Sequence, residues 1–167
     1  MKIQYKEMQE SRRLVKVLVA IDGSEASMRA ADFALSIAVK SKAELTLLYV
    51  FYSQLAYAYT SYLSKVEDSP SIDAILRSAE DQANQWFDIV KDKLKNVYAN
   101  NQNIKIKSDV IITSTSISRA IIDYAEHNMI NLIVVGTKGR SAFRTVLLGS
   151  ITFDVLKYSR CPVMVIK

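Results

Sequence analysis

"VVGTKGRSAFRTVLLGSIT", Val134 to Thr152, holds three of the four glycines in a chain of 167 residues. Gly136 and Gly139 stand where an apolar run, Leu132 to Val135, ends, and Gly149 with Ser150 stands where a helical pattern, "GSITFDVLKYSR", begins. The stretch reads as strand, loop and helix start. The fourth glycine, Gly23, likewise follows an apolar run, Val15 to Ile21. Backbone freedom is thus concentrated in connections that leave the carboxyl end of a strand or open the next helix.

The flanking sequence repeats this alternation. Leu45 to Val50 ("LTLLYV"), Ile104 to Ile112 and Val163 to Ile166 ("VMVI") are short runs rich in branched residues, as strands are. Between them the apolar period changes to three and four. Ile72, Ile75, Leu76, Ala79, Ala83, Trp86, Phe87, Val90, Leu94 and Val97 predict a long amphipathic helix; Ile117, Ala120, Ile121, Tyr124 and Ala125 predict another. A third covers Glu25 to Val39, with Ser24 as its N-cap. Strands separated by helices imply right-handed crossovers and a largely parallel sheet covered on both faces, an α/β domain. The alternation in "IKIK", Ile104 to Lys107, suits a sheet edge with one wet face. If "VMVI" is also an edge, its unpaired backbone predicts a homodimer joined through Val163 to Ile166.

In such sheets the carboxyl ends of the strands form the ligand crevice, where successive crossovers diverge to opposite faces. Glycines there let the backbone approach an anion and adopt positive φ so that N–H groups converge. The helix start at Gly149 and Ser150 adds unsatisfied amides, Ser150 or Thr152 a hydroxyl, and Lys138, Arg140 and Arg144 positive charge. Phosphate is the chemistry that this combination suits. The alternative is that the glycines only turn the chain and cap the helix. Neither a Walker loop nor the G-x-G-x-x-G dinucleotide fingerprint is present.

Gly136, Gly139, Gly149 and Ser150 match, position for position, the G-x-x-G, nine residues, G-Ser/Thr signature of the universal stress protein family, in its ATP-binding branch. "KVLVAIDGSEAS" resembles that family's first strand and acidic turn, "LTLLYV" its second strand and "CPVMVIK" its last. The resemblance implies a single open five-stranded parallel sheet in the order 3-2-1-4-5, an adenine-nucleotide-binding Rossmann-like fold, and a dimer paired through the last strand. It implies an adenine pocket lined by Ala20 and Val50, Asp22 beside adenine and ribose, and phosphate contacts from Gly136, Gly139, Gly149, Ser150, Ile151 and Thr152. The ligand implied is ATP, or ADP or AMP, with Mg²⁺ or Mn²⁺ held through the phosphates. Ala20 departs from the proline of some members. Asp22 also suits an Asx turn leading into "GSEAS".

The rest of the chain narrows the setting. Residues 1–13 read as a charged N-terminal extension, 14–167 as the domain, and 51–70, with four of the nine tyrosines, as a loop suited to a lid, a mobile segment or an interface. One cysteine, Cys161, precludes an internal disulfide and reads as a small buried apolar residue; with the lone His127, it forms no zinc spacing. No apolar run approaches the ~20 residues of a membrane span, so a cytoplasmic protein is expected. The net charge of +5 is spread among acids and apolar residues, which argues against nucleic acid. His127 closes a helix away from the predicted crevice, and no residue declares itself a catalytic base. The leading expectation is an ATP-binding stress or signalling module with slow or no hydrolysis. The alternatives are a genuine ATPase on the same fold, or a nucleotide-free dimeric scaffold.

Overall fold

The computed structural model describes residues 16–54, 72–99, 104–139 and 148–167. Along them strands and helices alternate: β1 (Lys16–Ala20), α1 (Glu25–Ser41), β2 (Glu44–Tyr52), α2 (Ile72–Val97), β3 (Ile106–Thr113), α3 (Ile117–His127), β4 (Leu132–Gly136), α4 (Ser150–Tyr158) and β5 (Val163–Ile166). The strands form one parallel sheet in the order β3-β2-β1-β4-β5.

Alternation of side chains along the strands divides the core in two. Val17, Val19, Leu45, Leu47 and Val134 meet Ala30, Ala31, Ala34 and Ala38 of α1 and Ala83, Phe87 and Val90 of α2. Leu18, Leu48, Ile133 and Val135 face the other way, onto Ile121, Ile122 and Ala125 of α3 and Val155 of α4. With both faces covered, the central strands are apolar almost throughout, Thr46 of β2 being a buried polar exception. The chain steps from β1 to β2 to β3, then returns past β1 to β4. With right-handed crossovers, that reversal sends α1 and α2 to one face and α3 and α4 to the other. The crevice opens between β1 and β4.

Both predicted edges are edges. At β3, Lys105 and Lys107 pair with Glu44 at 3.0 and 3.2 Å. Burial alone would raise the Glu44 carboxyl, but the hydrogen bonds and charges of the two lysines outweigh it and hold the group below its usual range. Next to this edge the Tyr124 phenol donates to Asp109. Burial first, then the Asp109 carboxylate, pushes the phenol far above its ordinary value. At the opposite edge Met164 of β5 is 36% exposed. Phe33 on α1, one turn beyond the Arg29 that donates to Lys167 C=O at 2.8 Å, is 53% exposed; Phe153 and Leu156 on α4 are 52% and 49% exposed.

Some boundaries differ from expectation. β2 runs past Val50 to Tyr52 because β3 continues beside it, pairing Phe51 with Ile112 and Tyr52 with Thr113. Phe51 and Tyr52 are therefore strand, and residues 55–70 of the tyrosine-rich segment lie outside the described residues, as does the 1–13 extension. β3 begins at Ile106, where pairing with Leu45 starts, rather than at Ile104. Val97 is exposed, Leu94 being the last residue of its stripe that the core covers. Cys161 is half-buried at the rim of the α3–α4 core, its Sγ 3.5 Å from Ser159 Oγ, and not fully enclosed as expected.

Candidate functional site

The crevice at the switch point encloses about 500 Å³, within the range of small-molecule sites. β1 leads into it with Ala20 and Asp22, and β2 contributes Val50. Gly136, Gly139, Gly149, Ser150, Ile151 and Thr152 form the opposite rim. Arg140, the remaining candidate residue, and Arg144 lie outside the described residues. Leu48, Ile117, Ile121 and Val135 make the inner wall apolar, and Tyr52 stands at the same crevice. Ile117 and Ile121 were legible only as a helix stripe; nothing in their spacing says that the crevice-facing end of that stripe is a ligand wall.

The glycines separate into two kinds. Gly23 has φ of +78°, and a Cβ there would meet the Trp86 ring at 2.3 Å. At Gly136 a Cβ would meet the backbone of Ala26 at 2.7 Å and of Ser27 at 2.8 Å. The fold itself requires these two, one for its turn and one for the approach of α1 to β4. Gly149 is different: its φ is −69°, and a Cβ would lie 3.4 Å from Thr137 O, an ordinary contact. At Gly139, among the described residues, a Cβ would meet the end of the Asp22 side chain, Oδ2, at 2.8 Å, and no backbone. Positive φ, expected across the glycine loop, occurs among the chain's glycines at Gly23 alone; the described loop segments pass the crevice in conformations open to any residue.

Asp22 follows β1, and its Oδ1 accepts the Ser24 N–H at 3.0 Å, so the Asx turn exists. Its Oδ2 faces Gly139. The carboxylate thus shapes the turn and stands in the crevice together.

The start of α4 carries the clearest polar signal. α1 is capped by Ser24 Oγ, which accepts the Ser27 N–H at 3.2 Å, and α3 by Ser116 Oγ, which accepts the Arg119 N–H at 3.3 Å. The N-cap of α4 is Gly149, which makes no side-chain cap. The Gly149 N–H is itself used, donating to Thr137 C=O at 2.8 Å. That leaves the N–H groups of Ser150, Ile151 and Thr152 as the first-turn donors that the helix cannot satisfy internally. Thr152, expected to offer its hydroxyl to an anion, donates Oγ1–H to Gly136 C=O at 2.7 Å and is 5% exposed. Its hydroxyl ties α4 to β4, because a buried hydroxyl beside a strand-end carbonyl gains more from that bond than from facing the rim. His127 closes α3, with Nδ1 2.6 Å from Asp123 O, and does not line the crevice. Among the described residues there is no group of three or more His, Cys, Asp and Glu that could hold a metal, and no helix is long and apolar enough to cross a membrane.

An open parallel sheet in the order β3-β2-β1-β4-β5, with a glycine-rimmed crevice at its switch point, defines a Rossmann-like α/β domain. Residues 15–167 match the model of the universal stress protein family, and the chain belongs to that family. Universal stress protein YxiE of Bacillus subtilis is 30% identical over 154 residues, covering 91% of this chain and 98% of that one. The structure of universal stress protein UspA from Lactobacillus plantarum superimposes with a TM-score of 0.66 at 27% identity, over 93% of this chain and 99% of that one. A universal stress protein in complex with cAMP shares the fold, with a TM-score of 0.61 at 22% identity over 93% and 98% of the two chains.

Proposed function

We propose that this chain binds an adenine nucleotide, ATP or its relatives ADP and AMP, in the switch-point crevice. It serves as a nucleotide-responsive module in stress response or signalling, with 14–167 as its one domain. The observation that carries the reading is the pair Gly139 and Gly149: among the described residues no backbone crowds a Cβ at either, yet both stand beside the uncapped start of α4. A ligand whose anionic group comes close to the backbone supplies the missing reason. The cAMP complex of a protein with this fold supports the nucleotide class.

The other end of the crevice suits adenine. The final bond between β1 and β2 runs from Ile21 N–H to Leu48 C=O at 2.8 Å. Alternate residues of a strand turn both backbone groups to the same side, so Val50 turns its N–H and C=O past the end of β1 into the crevice. A donor beside an acceptor, set in an apolar wall, complements the edge of adenine. Asp22, which lines the same crevice with Oδ2 toward Gly139, would serve the ribose. Mg²⁺ or Mn²⁺ would arrive with the phosphates, Asp22 being the one carboxylate among the described crevice residues. A single carboxylate already engaged in a turn is a poor general base, so hydrolysis is expected to be slow or absent.

The assembly we favour is a homodimer through β5, in the cytoplasm. Met164 on the free strand edge, with Phe33, Phe153 and Leu156 on the helices packed beside it, supplies apolar surface on both sides of that edge. The test of the function is to denature freshly purified protein, identify released nucleotide by mass spectrometry, and titrate stripped protein with ATP and Mg²⁺ by calorimetry. Bound ATP unchanged over hours supports the module. Steady release of ADP makes the chain an ATPase, and absence of binding by every adenine nucleotide sinks the proposal.

A further inference from the structure

We propose that Ser24 is a positioning residue that sets the Lys138–Gly139 peptide, and through it the Gly139 N–H, for phosphate recognition; this rests on the nucleotide reading above. The ladder between β1 and β4 ends at Val19 and Val134. Asp22 and the loop after β4 lie beyond it, so the sheet does not fix their spacing. Ser24 bridges them. Its backbone N–H donates to Asp22 Oδ1 at 3.0 Å, and its Oγ accepts the Ser27 N–H at 3.2 Å while donating to Lys138 C=O at 3.3 Å. A serine hydroxyl has one proton to give, and here it goes to the loop. Ser27 stiffens the same unit, its Oγ donating to Ser24 C=O at 2.9 Å and accepting the Asp22 N–H at 3.3 Å.

Lys138 C=O and Gly139 N–H belong to one planar trans peptide, so they point in opposite directions. Holding the carbonyl toward α1 therefore turns the Gly139 N–H away from α1. The Gly139 nitrogen lies 3.8 Å from where a Cβ on Gly149 would sit, beside the start of α4. The Gly139 amide thus joins the amides of Ser150, Ile151 and Thr152 at one rim. Without the Ser24 bond that peptide loses its tie to the start of α1, and the cost of reordering it falls on ligand binding.

The test compares Ser24→Gly, which removes the hydroxyl but keeps a residue acceptable at an N-cap, with Ser24→Thr, which keeps the hydroxyl. In Ser24→Gly, ATP and AMP are expected to bind about 3- to 10-fold more weakly, as loss of one hydrogen bond implies. Adenosine, lacking phosphate, should bind as before, and Ser24→Thr should restore ATP binding. The backbone NMR order parameter of the Gly139 amide in the free protein should fall in Ser24→Gly and not in Ser24→Thr. Equal weakening of ATP and adenosine would reduce Ser24 to a structural cap, and unchanged ATP affinity or an unchanged order parameter at Gly139 would overturn the assignment. If the wild-type chain binds no adenine nucleotide, the nucleotide reading fails on its own, while the order parameter still decides whether Ser24 holds the loop.

Discussion

Replacing Gly149 by aspartate should make the free protein more stable and its nucleotide complex weaker. Among the described residues a Cβ at Gly149 meets nothing closer than Thr137 O at 3.4 Å, and the residue already has the extended N-cap conformation, φ −69° and ψ 151°. An aspartate there caps the open first turn of α4, worth a few tenths of a kcal/mol over glycine. Its charge at the positive end of the helix adds about 0.3–1 kcal/mol. Together these raise the melting temperature by roughly 2–4 °C for a domain of this size. The same carboxylate occupies the amides of Ile151 and Thr152 and stands beside the Gly139 nitrogen, where the phosphates are proposed to bind. Two strong hydrogen bonds lost and a like charge gained should weaken ATP by at least ~100-fold. Thermal melts of stripped protein measure the first effect and calorimetric titration the second. A stabilised variant that binds ATP as tightly as the parent refutes the anion-site reasoning, and a strongly destabilised one shows that the glycine serves the turn.

Gly136→Ala should act oppositely, lowering the melting temperature with or without nucleotide. Its Cβ would press on α1 backbone at 2.7 Å, overpacking that typically costs about 1–3 kcal/mol; unchanged melting would show that α1 can move away. Met164→Arg should convert a dimer to monomers in analytical ultracentrifugation, because a charge is placed on the proposed seam; a dimer that persists places the interface elsewhere. Tyr124→Phe removes a half-buried donor to Asp109 and should cost about 1–3 kcal/mol near neutrality. The folded-state phenol is raised, so its stabilisation is complete below the unfolded value of about 10 and is lost as pH rises beyond it. Urea midpoints should therefore fall above about pH 10 more steeply in the parent than in Tyr124→Phe; parallel curves would contradict the shift.

The α/β class was legible because buried strands and amphipathic helices have different periods. One edge was legible in the residues, because "IKIK" carries lysines that only a wet face accepts; the other, Val163 to Ile166, shows no such alternation and was given by the family resemblance. β2 was read two residues short at its carboxyl end, since Phe51 and Tyr52 lead into a tyrosine-rich run; their strand conformation comes from pairing with Ile112 and Thr113, far along the chain. The candidate residues within the described chain share one crevice, but their separate uses were not legible. Thr152 looks identical in sequence whether its hydroxyl faces an anion or Gly136 C=O, and Cys161 gives no sign of how much of it the core covers.

By itself the sequence determined the elements, their alternation and the concentration of glycines at strand ends, because local propensity and periodicity depend on neighbouring residues. Only the tertiary structure decided which glycines the fold requires. That depends on what lies opposite: Trp86 against Gly23 and the backbone of α1 against Gly136 but, among the described residues, the carboxylate of Asp22 and no backbone against Gly139. Close approach between segments far apart in the chain leaves no local pattern, and here it separates the glycines that the packing of sheet and helices requires from those at the proposed anion site.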